Sequence, residues 1–365
     1  MNRREWLTRS GAAAAYAVLA GCQSAPSLLQ RGEHNLVRLH LNENPYGPSP
    51  AARKAMAEAF DEGHLYTGVP HNELRKLIAE QEGIPADHIV IGSGSGEILN
   101  VAGLVYGMNG GEILAPHPTF EQLQQYATAM GATILRVPLN DRMDHDLEEM
   151  SRRISTKTTL VYLCNPNNPT GVLIDGSLLR AFCEEASGRT MVYVDEAYHE
   201  FVDSPTHRSM IELVRQERNI IVSRTASKIH ALAGLRIGFG IAKPEIIRTL
   251  SRNMTGSVNV VGLRGALASY RDTEYQSISK QRTRRGKETL YALLDRMGRR
   301  FLRSEGNFVF FHTGRPIEQF RSAMEKEGVL VARPFPPFND WCRVSIGTEE
   351  GMDRFASALQ SVFNS

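Results

Sequence analysis

Between residues 88 and 241 short apolar runs alternate with helical patterns, and that alternation constrains the fold more than any other feature. A short apolar run is followed by polar or turn-forming residues and then, in several places, by a helical pattern. The runs occupy 88–91, 112–115, 133–137, 159–164, 191–194, 220–223 and 237–241, with helical patterns at 97–106, 120–131 and 178–186 between them. Strands that are apolar throughout must be covered on both faces, and strands joined through helices lie parallel. The expectation is an α/β chain on a mostly parallel sheet. Ligands of such sheets sit beyond the carboxyl ends of the strands. Three runs end there in chemistry-bearing residues: Gly92-Ser93-Gly94-Ser95-Gly96, Asn165-Pro166-Asn167-Asn168-Pro169-Thr170-Gly171, and Asp195.

A chain of 365 residues is too long for one small core. Ser49 is placed to cap a helix over 50–60, and a second helix is expected over 72–82. A charged helical pattern from about 265 to 297 precedes mixed strand and helix. We therefore expect a large domain over 61–265 and a smaller α+β domain over 266–365, with residues 31–60 packing on the smaller one.

Residues 1–30 read as an address and a tether rather than as fold. Arg3-Arg4 open the chain, an alanine-rich apolar run follows, and Leu19-Ala20-Gly21-Cys22 closes it. The run is too short to span a bilayer. Its charged start, apolar middle and small-residue end are the layout of an export signal. The paired arginines resemble a twin-arginine signal, and the segment ending at Cys22 resembles a lipobox. The expectation is an exported protein, periplasmic or anchored to a membrane by a lipid on Cys22; if the signal is not used, the protein stays in the cytoplasm.

Charge excludes one class of partner. Lys and Arg number 42 against 40 Asp and Glu, a net charge of +2, so nothing electrostatic favours nucleic acid. The cluster Arg282-Thr283-Arg284-Arg285 reads as a solvated helix face. Besides Cys22, Cys164, Cys183 and Cys342 form no CxxC pair and no metal-ligand spacing, and read as small buried apolar residues.

Six residues carry the chemical signal through their neighbours: Asn168 in Asn-Pro-Asn-Asn-Pro-Thr-Gly, Asp195 and Tyr198 in Val-Asp-Glu-Ala-Tyr, Ser227 and Lys228 in Arg-Thr-Ala-Ser-Lys, and Arg236 in Ala-Gly-Leu-Arg-Ile-Gly-Phe. Singly each is a cap, a turn or a surface charge. In this order they resemble the class I/II, fold-type I aminotransferases, and among these the histidinol-phosphate aminotransferases, over nearly the whole chain from Leu41 to Phe355. The resemblance implies a pyridoxal 5′-phosphate (PLP) enzyme. In it Lys228 matches the lysine that carries the cofactor, and Asp195 the carboxylate at the ring nitrogen. Tyr198 and Asn168 match the groups on the phenolic oxygen, and Phe120 matches the aromatic residue stacked on the ring. Ser95 and Gly96, opening a helix, match the phosphate turn, with Ser227, Arg236 and Thr225 as further phosphate ligands. Tyr66 matches a tyrosine supplied by a neighbouring subunit, which implies a homodimer. Arg343, Arg333 and Tyr46, together with Asn168, are the implied substrate contacts. The implied partners are an amino donor and a 2-oxo acid acceptor.

The sequence departs from the pattern at Ser93 and Gly96 in the phosphate turn, at Thr67-Gly68-Val69-Pro70 after Tyr66, and in the proline-rich stretch between Arg333 and Arg343. Two other readings keep the same residues: a lyase resembling threonine-phosphate decarboxylase, and a non-catalytic exported binding protein. A dinucleotide site at Gly92–Gly96 lacks the full GxGxxG spacing and gives Lys228 no part. His199-Glu200 lacks the second histidine of a zinc motif, since residue 203 is Asp.

Overall fold

The computed structural model describes residues 36–364. The proposed signal, Cys22 and the tether lie outside them. The first described element is a short strand, β1 (Val37–Leu39). Next comes the helix Pro50–Glu58, where Ser49 Oγ accepts from the Ala52 amide at 3.1 Å. A side-chain cap with proline in the first turn is the expected helix start. The following helix, Gly68–Glu82, begins ahead of the expected residue 72 because Pro70 fits its first turn.

The central sheet has seven strands: β2 (Ile89–Ser93), β3 (Glu112–His117), β4 (Thr133–Pro138), β5 (Thr158–Cys164), β6 (Met191–Asp195), β7 (Ile220–Thr225) and β8 (Ile237–Ile241). Their spatial order is β2-β8-β7-β6-β5-β3-β4. β3, β4, β5, β6 and β7 pair in parallel, and β8 alone runs against its neighbours β2 and β7. The mostly parallel sheet is as expected.

The two-residue period of a strand divides the core between the sheet's faces. Along β5, Val161 and Leu163 enter one core with Leu74, Ile78, Leu179, Phe182 and Leu263. Leu160, Tyr162 and Cys164 enter the other, with Ile98, Leu99, Leu123, Ile246 and Leu250. Helices Gly68–Glu82, Gly176–Ala186 and Val260–Arg271 thus cover one face, while Ser95–Gly107, Gln122–Ala129 and Pro244–Asn253 cover the other. Each fully buried aliphatic or aromatic side chain contributes roughly 1.5–3 kcal/mol. Cys164, Cys183 and Cys342 are buried free thiols.

The charged helical pattern expected from 265 to 297 is two helices, Val260–Arg271 and Thr273–Arg296. Asp272 breaks it, with its side chain accepting from the Tyr275 amide at 3.0 Å. The first helix starts earlier than expected, behind an Asn259 cap at 2.6 Å from the Gly262 amide. The remainder holds β9 (Phe308–His312), helix Ile317–Lys326, β10 (Val329–Val331), β11 (Trp341–Ser345) and helix Glu349–Asn364. β9 and β11 are antiparallel, with Arg343 opposite Phe310. The segment before residue 60 touches more than these C-terminal elements. The Asn42 amide donates to Ser345 Oγ of β11, whereas Met56 packs on Gly265, in a helix that belongs to the core beneath the main sheet.

Candidate active site

Strand register brings the sequence motifs to one edge. Ser93 at the end of β2 lies opposite Ile237 at the start of β8, and Thr225 at the end of β7 lies opposite Gly238. Cys164 at the end of β5 pairs with Asp195 at the end of β6, and Asp195 with Ser223. Because β8 is antiparallel, Arg236 just before it reaches the same edge as the residues just after β2, β5, β6 and β7.

A cavity of about 420 Å³ opens there. It is lined by Ser95, Gly96, Phe120, Asn168, Asp195, Tyr198, Thr225, Ser227, Lys228, Arg236, Arg333 and Arg343. One expected substrate contact is elsewhere. Tyr46 lines a separate cavity, its ring under the Arg282 guanidinium at 4.4 Å. Arg282, Arg284 and Arg285 are exposed, as expected of a solvated helix face, and Arg282 also covers the Tyr46 ring. Tyr66 is wholly exposed and lines no part of this chain's own cavity, which leaves it open to the neighbouring subunit that the resemblance implies. The cavity also exposes His40, Asn42, Thr119, Gln122 and Arg321, which sequence reasoning did not select.

One wall is built for an anion. Helix Ser95–Gly107 starts at this edge without a side-chain cap, and Gly94 before it has φ +79°. That conformation favours glycine, and a Cβ on Gly94 would also strike the Arg236 guanidinium. A Cβ on Gly238 would collide with the Gly94–Ser95 backbone, so β8 can approach the turn only as glycine. A helix N-terminus with an arginine and two hydroxyls beside it attracts negative charge. The hydroxyls are those of Thr225 and Ser227, 2.9 Å apart.

At the floor, Asp195 is buried. Its carboxylate accepts from Ser223 Oγ and from the Tyr162 hydroxyl, both at the long distance of 3.3 Å. Burial pushes its pKa up to about 6 against those two hydrogen bonds, the Ala197 backbone N–H and the nearby Lys228. Lys228 Nζ donates to the carbonyls of Asn42 at 3.1 Å and Leu41 at 3.5 Å, and lies 5.7 Å from the Tyr198 ring centre. Burial, then the Arg343 charge, lowers its pKa to about 8, with Asp195 and Glu43 opposing. The Tyr198 hydroxyl accepts from Asn42 Nδ2 at 2.9 Å, and burial raises its pKa.

At the far end Arg343 is buried between Phe308 and Phe335. Its Nη1 donates to Asn168 Oδ1 and its Nη2 to the His40 carbonyl, both at 2.6 Å. No ion pair offsets its charge among the described residues, and burial brings its pKa down to about 10. Asn42, with φ +55°, joins the two ends through Lys228, Tyr198 and Ser345. Gln122, which donates to the Gly96 carbonyl at 3.0 Å, carries no signal in the sequence.

Residues 34–359 match the family of class I and II aminotransferases. A histidinol-phosphate aminotransferase of Symbiobacterium thermophilum is 38% identical over 90% of this chain and 91% of its own length. A solved structure from Erwinia carotovora atroseptica, provisionally named a histidinol-phosphate aminotransferase, superposes with a TM-score of 0.87 at 32% identity, covering 90% of this chain and 96% of that one. The histidinol-phosphate aminotransferase of Sinorhizobium meliloti, solved in complex with pyridoxal-5′-phosphate, has the same fold, with a TM-score of 0.84 at 24% identity over 90% and 91% of the two chains. The chain belongs to the class I and II aminotransferases.

Proposed function

We propose that this protein is a PLP-dependent transaminase, similar to the histidinol-phosphate aminotransferases. It moves an amino group between an amino acid or amino-phosphate and a 2-oxo acid, with 2-oxoglutarate as the expected partner. The observation that carries this reading is the opening of Lys228, Asp195, the anion cradle and Arg343 into one cavity.

The residues fit PLP. A buried carboxylate whose side-chain donors are long takes a cationic N–H. The turn at Gly94–Gly96, with Thr225, Ser227 and Arg236, would hold a phosphate, and Phe120 lines the space between. Bound there, PLP supplies a sink for the electrons left on a substrate carbon when its proton departs. Asp195 would hold the ring nitrogen's proton. Tyr198 and Asn168 would donate toward the phenolic oxygen. Lys228 Nζ, with its pKa brought down to about 8, is a neutral base in an appreciable fraction of molecules near neutral pH and can take and return a proton. Arg343 binds the substrate's anionic group and sets its position relative to Nζ.

Two further points belong to the same proposal. Tyr66, exposed in one chain, is supplied to the cavity of a second copy in a homodimer. Residues 1–30 direct export, with Cys22 lipidated; fatty-acid labelling that persists in Cys22→Ser would overturn the lipid anchor.

The test is an absorbance spectrum of the chain lacking residues 1–22, titrated with PLP and then with single amino donors. A visible band that forms with PLP and converts only with a productive donor, with one 2-oxo acid formed per donor consumed, is expected. Carbon dioxide released without any need for a 2-oxo acid would replace transamination by a lyase. No band with PLP would remove the cofactor and leave a binding protein.

A further inference from the structure

Asp195 reaches the cavity floor from β6, and hydroxyls orient it from both sides. Ser223 of β7 donates to Oδ1 and Tyr162 of β5 donates to Oδ2, each at 3.3 Å. β5 and β7 are the two neighbours of β6, so the carboxylate is held between them. Register fixes the arrangement. Tyr162 lies opposite Tyr193, and Cys164 opposite Asp195. Residues two apart along a strand share a face, so Asp195 stands next to a pair of phenols, Tyr162 and Tyr193, with ring centres 5.9 Å apart. Both phenols are fully buried, and neither lines the cavity.

The same burial keeps both phenols un-ionised, with pKa values driven well above their ordinary 10. The titratable groups facing Asp195 are Tyr162 and Cys164 from β5, Tyr193 from β6, and Tyr198 and Lys228 beyond the strand ends. Burial raises the pKa values of Cys164 and Tyr198 as well, so only Lys228 brings charge near neutral pH. A hydroxyl acts differently from an N–H in such a place. It donates to a carboxylate and, after turning about its C–O bond, accepts from a carboxylic acid. It therefore keeps Asp195 aimed in either protonation state. The two phenols are not equivalent. The Tyr162 hydroxyl meets Asp195, whereas the Tyr193 hydroxyl has no hydrogen-bond partner. Packing alone would be served by phenylalanine at both positions.

We infer that Tyr162, outside the cavity, is a positioning residue whose hydroxyl aims the Asp195 carboxylate and limits how strongly it holds a proton. Its consequence at a cofactor ring nitrogen rests on the transaminase reading; its hold on Asp195 does not.

Tyr162→Phe removes the hydroxyl and keeps the ring, and Tyr193→Phe is the control for packing. Urea unfolding of the full chain without PLP is measured from pH 5 to pH 8. Losing a hydrogen bond to a charged group is about a tenfold effect at the weak end of its range, the end to which a 3.3 Å bond belongs. Tyr162→Phe should therefore raise the Asp195 pKa by about one unit from its value of about 6. A carboxyl whose folded pKa exceeds its unfolded one costs stability as pH rises, until the folded value is passed. Relative to wild type, the deficit of Tyr162→Phe should therefore be larger at pH 8 than at pH 5 by about 1.4 kcal/mol, the tenfold effect converted. Ser223→Ala should behave alike, and Tyr193→Phe should show a deficit independent of pH. In the loaded enzyme, a carboxylate that pulls harder on a shared proton leaves the ring less positive. The visible band that PLP forms should then change at higher pH in Tyr162→Phe, and kcat should fall about tenfold with KM for the amino donor unchanged.

A deficit of Tyr162→Phe that does not depend on pH, or one that Tyr193→Phe reproduces, would overturn the inference and leave Tyr162 a packing residue. A loss carried by KM would overturn it as well. If wild type forms no PLP band, the transaminase reading falls by itself. The pH dependence of unfolding then still decides whether Tyr162 holds Asp195.

Discussion

Lys228→Ala is expected to lower kcat by at least about a thousandfold, the scale of a positioned acid–base group, and to abolish the visible band that PLP forms with the protein. The same substitution should leave stability unchanged or improve it. Lys228 has no ion pair among the described residues; its ammonium rests on two backbone carbonyls close to Arg343 and Arg236. Burial and the Arg343 charge outweigh the attraction of Asp195 and Glu43 for the ammonium, so its removal relieves a net penalty. Unchanged urea unfolding alongside lost turnover separates a chemical role from a structural one. The reactivity of the amine supplies the sign. In the protein without PLP, Lys228 is protonated below about pH 8 and neutral above it. Acylation of Lys228, followed by mass spectrometry against pH, should therefore rise with a midpoint near 8, whereas an exposed lysine keeps rising toward 10.5. A midpoint near 10.5 would mean that the site does not depress the amine, and the proton-transfer role would lose its basis.

The parts of the site legible in the sequence are those carried by a continuous motif. The motifs around Asp195, Lys228 and Arg236 each place a side chain at the end or start of a strand, so the local pattern already implies the sheet edge on which it lies. Asn42, Arg321 and His40 reach the same cavity through long-range packing. Asn42 bonds Ser345 across 303 residues, and no local pattern encodes that register. Tyr46 shows the converse: it sits in a motif-like segment, yet the chain holds its ring under Arg282. The break at Asp272 is hidden in the sequence for a different reason: charged helix-forming residues continue on both sides of it, and periodicity alone does not separate a cap from an interior aspartate.

Arg224→Met should cost about 3–5 kcal/mol, the effect of stranding one member of a buried pair. Arg224 lies in β7 between Ser223, which donates to Asp195, and Thr225 of the anion cradle, and strand alternation sends its side chain to the opposite face. There it donates from Nε at 3.0 Å and Nη2 at 2.9 Å to Glu196 Oε2, and from Nη1 at 2.7 Å to Glu82. Glu196 also accepts from Ser209 Oγ and the Met210 amide. Burial alone would raise the pKa of Glu196, but the Arg224 guanidinium and these donors outweigh it and hold the carboxyl below its ordinary 4.5. In the wild type this contribution is therefore present above pH 4.5 and fades as pH falls through the lower folded value. Without Arg224 the balance reverses. Glu196 becomes a buried carboxylate whose folded pKa lies above its unfolded one, and it costs stability as pH rises. The deficit of Arg224→Met, measured by urea unfolding, should consequently be larger at pH 7 than at pH 5. Arg224→Met combined with Glu196→Gln should recover much of the loss, because neither charge remains unpaired. A deficit independent of pH, or a double variant as unstable as the single one, would mean that packing rather than the ion pair holds the two strand ends. Asp195 would then owe its position to the sheet alone.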